Sequence, residues 1–91
     1  MFTPEEVQYY RRGLEGLSPT YDWLLNSTER FIAVVTIAKE YGTREDNVRQ
    51  WFERGLLSGA SRDPITGYLR IPPASLIVFF GRQVMPSFRA A

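Results

Sequence analysis

The chain has 91 residues, of which 44% are hydrophobic and 14% aromatic, so it is long enough for one small core but not for several domains. It has no cysteine and no histidine, which excludes a disulfide framework, a thiolate metal site and the commonest general base. No apolar run approaches the roughly 20 residues that a bilayer span requires, and the N-terminus lacks a secretory apolar region.

The charge is unevenly distributed, although the formal net charge is only +1. Residues 1–29 hold two arginines against five acids and are net −3, whereas residues 30–70 and residues 71–91 are each net +2. All the cations except Lys39 are arginines, which suit paired contacts with phosphate or guanine. A basic half on an acidic support fits a surface that faces DNA.

Two helices are predicted in the first 31 residues. Thr3 is a helix cap, Pro4 suits the first turn, and Glu6 completes a capping box. The expected apolar face of this helix consists of Val7, Tyr10, Leu14 and Leu17. Ser18 and Pro19 start a second, short apolar helix. Three aromatic residues of this region either complete the core or mark a partner surface: Tyr9, Tyr10 and Trp23.

Residues 36–57 have the spacing of a helix-turn-helix. Ala38 is small where two helices must cross, and Gly42 permits the positive φ of a tight turn. Val48 and Trp51 are three residues apart and share one face of a second helix. The two helices are expected at about residues 32–41 and 44–54. Such a motif places its second helix in a DNA major groove.

The chain beyond this motif predicts a hairpin and a closing helix. Residues 63–67 read Asp-Pro-Ile-Thr-Gly, which is turn chemistry. Two short strands are expected on either side, at about residues 57–62 and 68–71. Pro72 stops the second strand, and Pro73 opens a last helix that carries a run of apolar residues.

Residues 32–80 resemble the winged helix-turn-helix of the MerR-like and phage excisionase group. The matching positions are Ala38, Gly42, Val48, Trp51, Arg54-Gly55-Leu56-Leu57, the wing from Arg62 to Arg70, Arg70-Ile71-Pro72 and Leu76. The resemblance implies a mainly α fold, a winged helix-turn-helix with a short two-stranded β-hairpin wing. Residues 1–31 are then an N-terminal helical extension that packs on or extends the core, and residues 32–91 are the winged domain, the two forming one compact unit.

The resemblance also implies which residues contact DNA. They are Arg44, Asn47, Arg49 and Gln50 on the second helix, and Arg62, Tyr68 and Arg70 on the wing. Arginine, asparagine and glutamine can pair with guanine or adenine edges, and wing residues suit the backbone or the minor groove. The alternatives are a solvated polar helix face and an ordinary hairpin surface.

The start of the second helix departs from the group's pattern. The group usually has Ser or Thr followed by basic or polar residues, whereas this chain has Glu45 and Asp46 after Thr43-Arg44. Two acidic side chains at a helix N-terminus stabilise the helix, because they interact favourably with the helix dipole. The same acids repel nearby DNA phosphates unless they accept a hydrogen bond from cytosine N4 or point away from the DNA.

The predicted function is sequence-specific or architectural binding of double-stranded DNA, by a small transcriptional regulator or an excisionase-like recombination directionality factor. Self-association on DNA, or work with a recombinase or polymerase partner, is expected in the cytoplasm of a bacterial or phage-infected cell. The alternatives are a non-catalytic protein-interaction module and a small-terminase or replication accessory protein on the same fold. No enzyme activity, cofactor, metal, small-molecule ligand or membrane contact is expected.

Overall fold

The computed structural model of the protein describes residues 2–89, which form five helices and one antiparallel hairpin. In chain order the elements are α1 (Pro4–Leu14), α2 (Pro19–Leu25), α3 (Val34–Glu40), α4 (Glu45–Glu53), β1 (Ser61–Arg62), β2 (Leu69–Arg70) and α5 (Pro73–Val84). The prediction of a mainly helical fold with one two-stranded hairpin is confirmed. Within the described residues, no helix has the length and apolar character needed to cross a membrane.

The first two helices begin where the sequence predicts. The Thr3 side chain accepts a hydrogen bond from the amide of Glu6 at 3.2 Å, and Ser18 accepts from the amide of Tyr21 at 3.4 Å. The Glu6 carboxylate lies against α5, where it accepts from Arg82 Nη2 at 2.7 Å. This hydrogen bond is the main cause of the raised pKa of Arg82, and it joins the two ends of the chain.

Helix α5 is the centre of the core. Its buried residues are Ser75, Leu76, Ile77, Val78, Phe79, Phe80 and Gly81. A helix that is buried on all sides needs neighbours on all sides, and α1 and α2 both pack against it. Tyr10 and Leu14 of α1 and Leu24 of α2 are fully buried there. Leu17 is 56% exposed, because α1 ends before it and Gly16 turns the chain at φ +74°.

Helices α3 and α4 are joined by a tight turn. Gly42 adopts φ +62°, and the amide of Thr43 donates to the Ala38 carbonyl at 2.9 Å. Val48 is fully buried, whereas Trp51 is partly buried with its ring centroid 4.7 Å from that of Phe79. The pair of helices is thereby held against α5, which leaves the opposite side of α4 exposed.

The hairpin strands are shorter than predicted. Only two residue pairs form the ladder: Ser61 with Arg70, and Arg62 with Leu69. The expected extension of the first strand fails because Leu57 turns into the core and its carbonyl accepts from the amide of Ala60 at 3.0 Å. The second strand ends at Arg70, and Ile71 forms an isolated bridge to Ile32 before α3 instead of pairing with the first strand. The hairpin is thus attached to the start of α3.

Candidate functional site

The exposed side of α4 carries the helix residues predicted from sequence. Arg44, Asn47, Arg49 and Gln50 are all exposed. The acids Glu45, Asp46 and Glu53 are also exposed, and Arg49 is the one basic residue within the bounds of α4. The exposed side of α4 is therefore polar but net acidic.

Arg49 is held by two carboxylates of its own helix. Its Nη2 lies 3.2 Å from Glu45 Oε1, and its Nη1 lies 3.3 Å from Asp46 Oδ1. The arginine side chain remains 47% exposed, so each pair contributes only about 0.2–0.5 kcal/mol. Asn47 is also oriented locally, since its Nδ2 donates to Thr43 Oγ1 at 2.9 Å. These contacts point the polar groups in defined directions without burying them.

An open groove of about 380 Å³ lies between the start of α3, the start of α4 and the hairpin. Its lining residues are Ala33, Val34, Val35, Glu45, Arg49, Arg62, Gly67, Tyr68 and Leu69. The structure therefore brings together Arg49, Arg62 and Tyr68 from the predicted set. The other four predicted residues lie outside this groove.

The two hairpin arginines lie on opposite faces. Arg62 pairs with half-buried Leu69, and directly opposed residues of an antiparallel pair share a face. Its guanidinium lies 5.6 Å from the centroid of Phe52 and donates to the Gly67 carbonyl at 2.8 Å. Arg70 is next to Leu69 in the strand and therefore lies on the other face, paired with Asp63. The sequence assigned both arginines one role, but their surroundings differ.

A basic and aromatic cluster on the outer face of the hairpin was missed by the sequence analysis. The guanidinium groups of Arg30 and Arg70 lie 5.4 and 6.0 Å from the ring centroid of Phe31. These residues meet because the Ile32–Ile71 bridge joins two distant segments. No local sequence pattern marks that pairing, so only the tertiary structure reveals it.

The turn of the hairpin is ordered by Asp63. Its Oδ1 accepts from the amides of Ile65 at 2.8 Å and Thr66 at 3.2 Å, and its other oxygen accepts from Arg70. The two backbone hydrogen bonds, followed by the one from Arg70, lower the pKa of the Asp63 carboxyl. Gly67 closes the turn at φ +77°, a conformation that favours glycine.

The aromatic residues near the N-terminus have structural contacts. Tyr10 is buried, and the Tyr9 hydroxyl donates to the Pro86 carbonyl at 3.1 Å. The Trp23 ring packs edge-on against Tyr41 with 6.4 Å between centroids. Of the two readings offered by the sequence, these contacts favour completion of the core.

Comparison of this chain with protein-family models, with curated proteins and with solved structures finds no match. The geometry and charge of the site itself are therefore the basis of the function proposed below.

Proposed function

We propose that the chain binds double-stranded DNA as a winged helix-turn-helix, with α4 in the major groove and the β1–β2 hairpin as a wing on the adjacent backbone. The observation that carries the proposal is the shared groove, where Arg49 of α4 lies beside Arg62 and Tyr68 of the hairpin. A short helix, a glycine turn and a second exposed helix have the form that enters a major groove, which is about 12 Å wide.

The charge of the site predicts weak binding by a single copy. The acids of α4 repel phosphates, and Arg49 is already paired with Glu45 and Asp46. Affinity must then come from the few remaining arginines, among them Arg44 and Arg62, and each neutralised phosphate contributes about −0.9 to the salt slope. Two or more copies on adjacent sites give the affinity that a small regulator or an excisionase-like factor needs. A packaging or replication accessory would use the same contacts.

The test is a titration of fluorescent duplexes, selected from a random pool, at several salt concentrations. Wild-type protein should show a salt slope of only about −3 per bound copy. Gln50→Ala and Asn47→Ala should relax sequence preference, at about 1–3 kcal/mol for each lost base contact. Arg62→Ala should weaken binding to all sequences alike and flatten the slope by about one. Arg12→Ala, at an exposed position of α1, removes the same charge away from the site and is the matched control.

Two results would contradict this assignment. Failure to bind any duplex at low salt would refute DNA binding itself. A change of preference in Arg62→Ala, with unchanged preference in Gln50→Ala and Asn47→Ala, would mean that the hairpin reads bases and α4 contacts the backbone.

A protein-interaction module is the second candidate, because apolar side chains line part of the groove. Val35 is 58% exposed there, beside Val34 and Leu69. A partner peptide with apolar side chains would bury this surface. The low-salt titration separates the two candidates, since a protein-binding module would leave duplex DNA unbound.

A further inference from the structure

We propose that Ile65, at the tip of the hairpin, is an apolar wedge that enters the DNA minor groove and opens one base step. This inference rests on the DNA binding proposed above. Ile65 is 92% exposed, the highest value among the large hydrophobic residues of the described chain. A single exposed aliphatic residue is common on protein surfaces, but Ile65 differs in the ordered turn that carries it.

The backbone of the tip is held in one conformation. Pro64 fixes its own φ immediately before Ile65, and the amide of Ile65 donates to Asp63 Oδ1 at 2.8 Å. The Asp63 amide donates to the Tyr68 carbonyl at 2.8 Å, and the Gly67 amide donates to the Asp63 carbonyl at 2.9 Å. The isoleucine is therefore presented to solvent by a turn that is ordered before any partner binds, which lowers the entropy cost of inserting it.

The two hairpin arginines support the tip from opposite faces. Arg62 donates to the carbonyl of Gly67 at 2.8 Å, and Arg70 binds the carboxylate of Asp63. Arg62 is exposed and forms no ion pair within the described residues, whereas the charge of Arg70 is offset by Asp63, so the base of the apolar tip carries one uncompensated positive charge. The chemistry required of the partner is an apolar gap beside a line of negative charge.

The minor groove of DNA has that chemistry. Phosphates line both edges of a groove about 6 Å wide, and its floor consists of stacked bases between which aliphatic side chains can insert. Pyrimidine–purine steps unstack most easily, so the wedge should select such a step. A protein pocket of matching shape would lack the line of phosphates that the Arg62 guanidinium fits.

The experiment places 2-aminopurine at successive positions of a duplex that the wild-type protein binds. The fluorescence of this base analogue rises where stacking is lost. Wild-type protein should brighten one step beside the wing, and Ile65→Ala should abolish that signal and weaken binding about tenfold. Ile65→Leu should retain the signal. Leu17→Ala removes another aliphatic side chain, 56% exposed on the α1–α2 connection, and should change neither the signal nor the affinity.

The outcomes separate this inference from the proposed function. If wild-type protein binds duplexes but brightens no step, or if Ile65→Ala brightens the same step, the wedge is wrong and DNA binding stands. If wild-type protein binds no duplex at low salt, the proposed function fails and the wedge fails with it. Amide chemical shifts of Thr66 in Ile65→Ala establish that the turn is still formed, so a lost signal reports the missing side chain.

Discussion

Asp63 determines the shape of the hairpin turn through three acceptor contacts. It accepts from two amides of the turn and from Arg70 of the second strand. All three contacts favour the ionised carboxylate, and they outweigh the opposing effect of burial on its pKa. The charge of the Asp63 carboxylate therefore adds to the order of the tip.

The hairpin should lose order in acid. Because the pKa of Asp63 is lowered in the folded state, its contribution to stability is fully present above the unfolded pKa of about 3.9. It is lost as the pH falls through the lower folded value. We expect the amide signals of Ile65 and Thr66 in NMR spectra to move towards coil positions in that acidic window, and to stay constant from there to neutral pH.

Asp63→Asn is the matched control for this titration. The asparagine side-chain oxygen still accepts from the turn amides but carries no charge. Its hairpin signals should therefore not titrate, although its contact with Arg70 is weakened. An identical acid transition in this variant would show that another group controls the turn.

At the scale of helices, two glycines allow neighbouring segments to pack closely because they have no Cβ. A Cβ built on Gly81 of α5 would overlap the Cβ and ring of Tyr10 on α1. A Cβ built on Gly13 of α1 would overlap the thioether of Met85. The two obstacles differ, because Tyr10 is buried and hydrogen-bonded to the Phe88 amide at 3.0 Å, whereas Met85 is flexible and only partly buried.

The two glycine-to-alanine variants should therefore differ in stability. Gly81→Ala should destabilise the protein by about 1–3 kcal/mol, because overpacking against Tyr10 exceeds the helix-propensity gain of about 1 kcal/mol. Gly13→Ala should stay within about 1 kcal/mol of wild type, since Met85 can move aside. Urea denaturation measures both free energies of unfolding. Equal losses in the two variants would contradict this account of the α1–α5 contact.

The hairpin was predicted correctly from the sequence, but the lengths of its two strands were not. The Asp63–Gly67 turn chemistry correctly predicted a hairpin between α4 and α5. The strand lengths were wrong because Leu57 has a better position in the core and Ile71 pairs with Ile32. Both choices depend on residues far away in the chain, so local propensity could not predict them.

At the scale of the whole molecule, the N-terminal helices share the core of the rest. Tyr10, Leu14 and Leu24 are at most 1% exposed, and they belong to the same cluster as the buried residues of α5. Removing them would expose residues 75–81 of α5, which are all buried in the complete protein. This packing bears on the expectation that residues 1–31 pack on or extend the core as part of one compact unit.

Deletion of residues 1–29 should abolish cooperative unfolding. A domain of this size buries a modest share of its surface and is only marginally stable. The loss of two helices with three fully buried side chains therefore cannot be offset. Thermal melts followed by circular dichroism should show a broad, non-cooperative change. Adding a peptide of residues 1–29 should restore part of the transition. A sharp melt near the wild-type temperature without the peptide would mean that these helices are a separate extension.

The sequence by itself determined the helix starts at Thr3, Ser18 and Pro73, the glycine turn at Gly42 and the presence of a hairpin. These features follow from side-chain caps, from the fixed φ of the proline ring and from turn-forming residues, all of which act within a few residues. Only the tertiary structure decided which side chains meet at the site. It placed Arg62 and Arg70 on opposite faces and brought Phe31 to Arg70, because side-chain direction depends on strand register and on a bridge between distant segments.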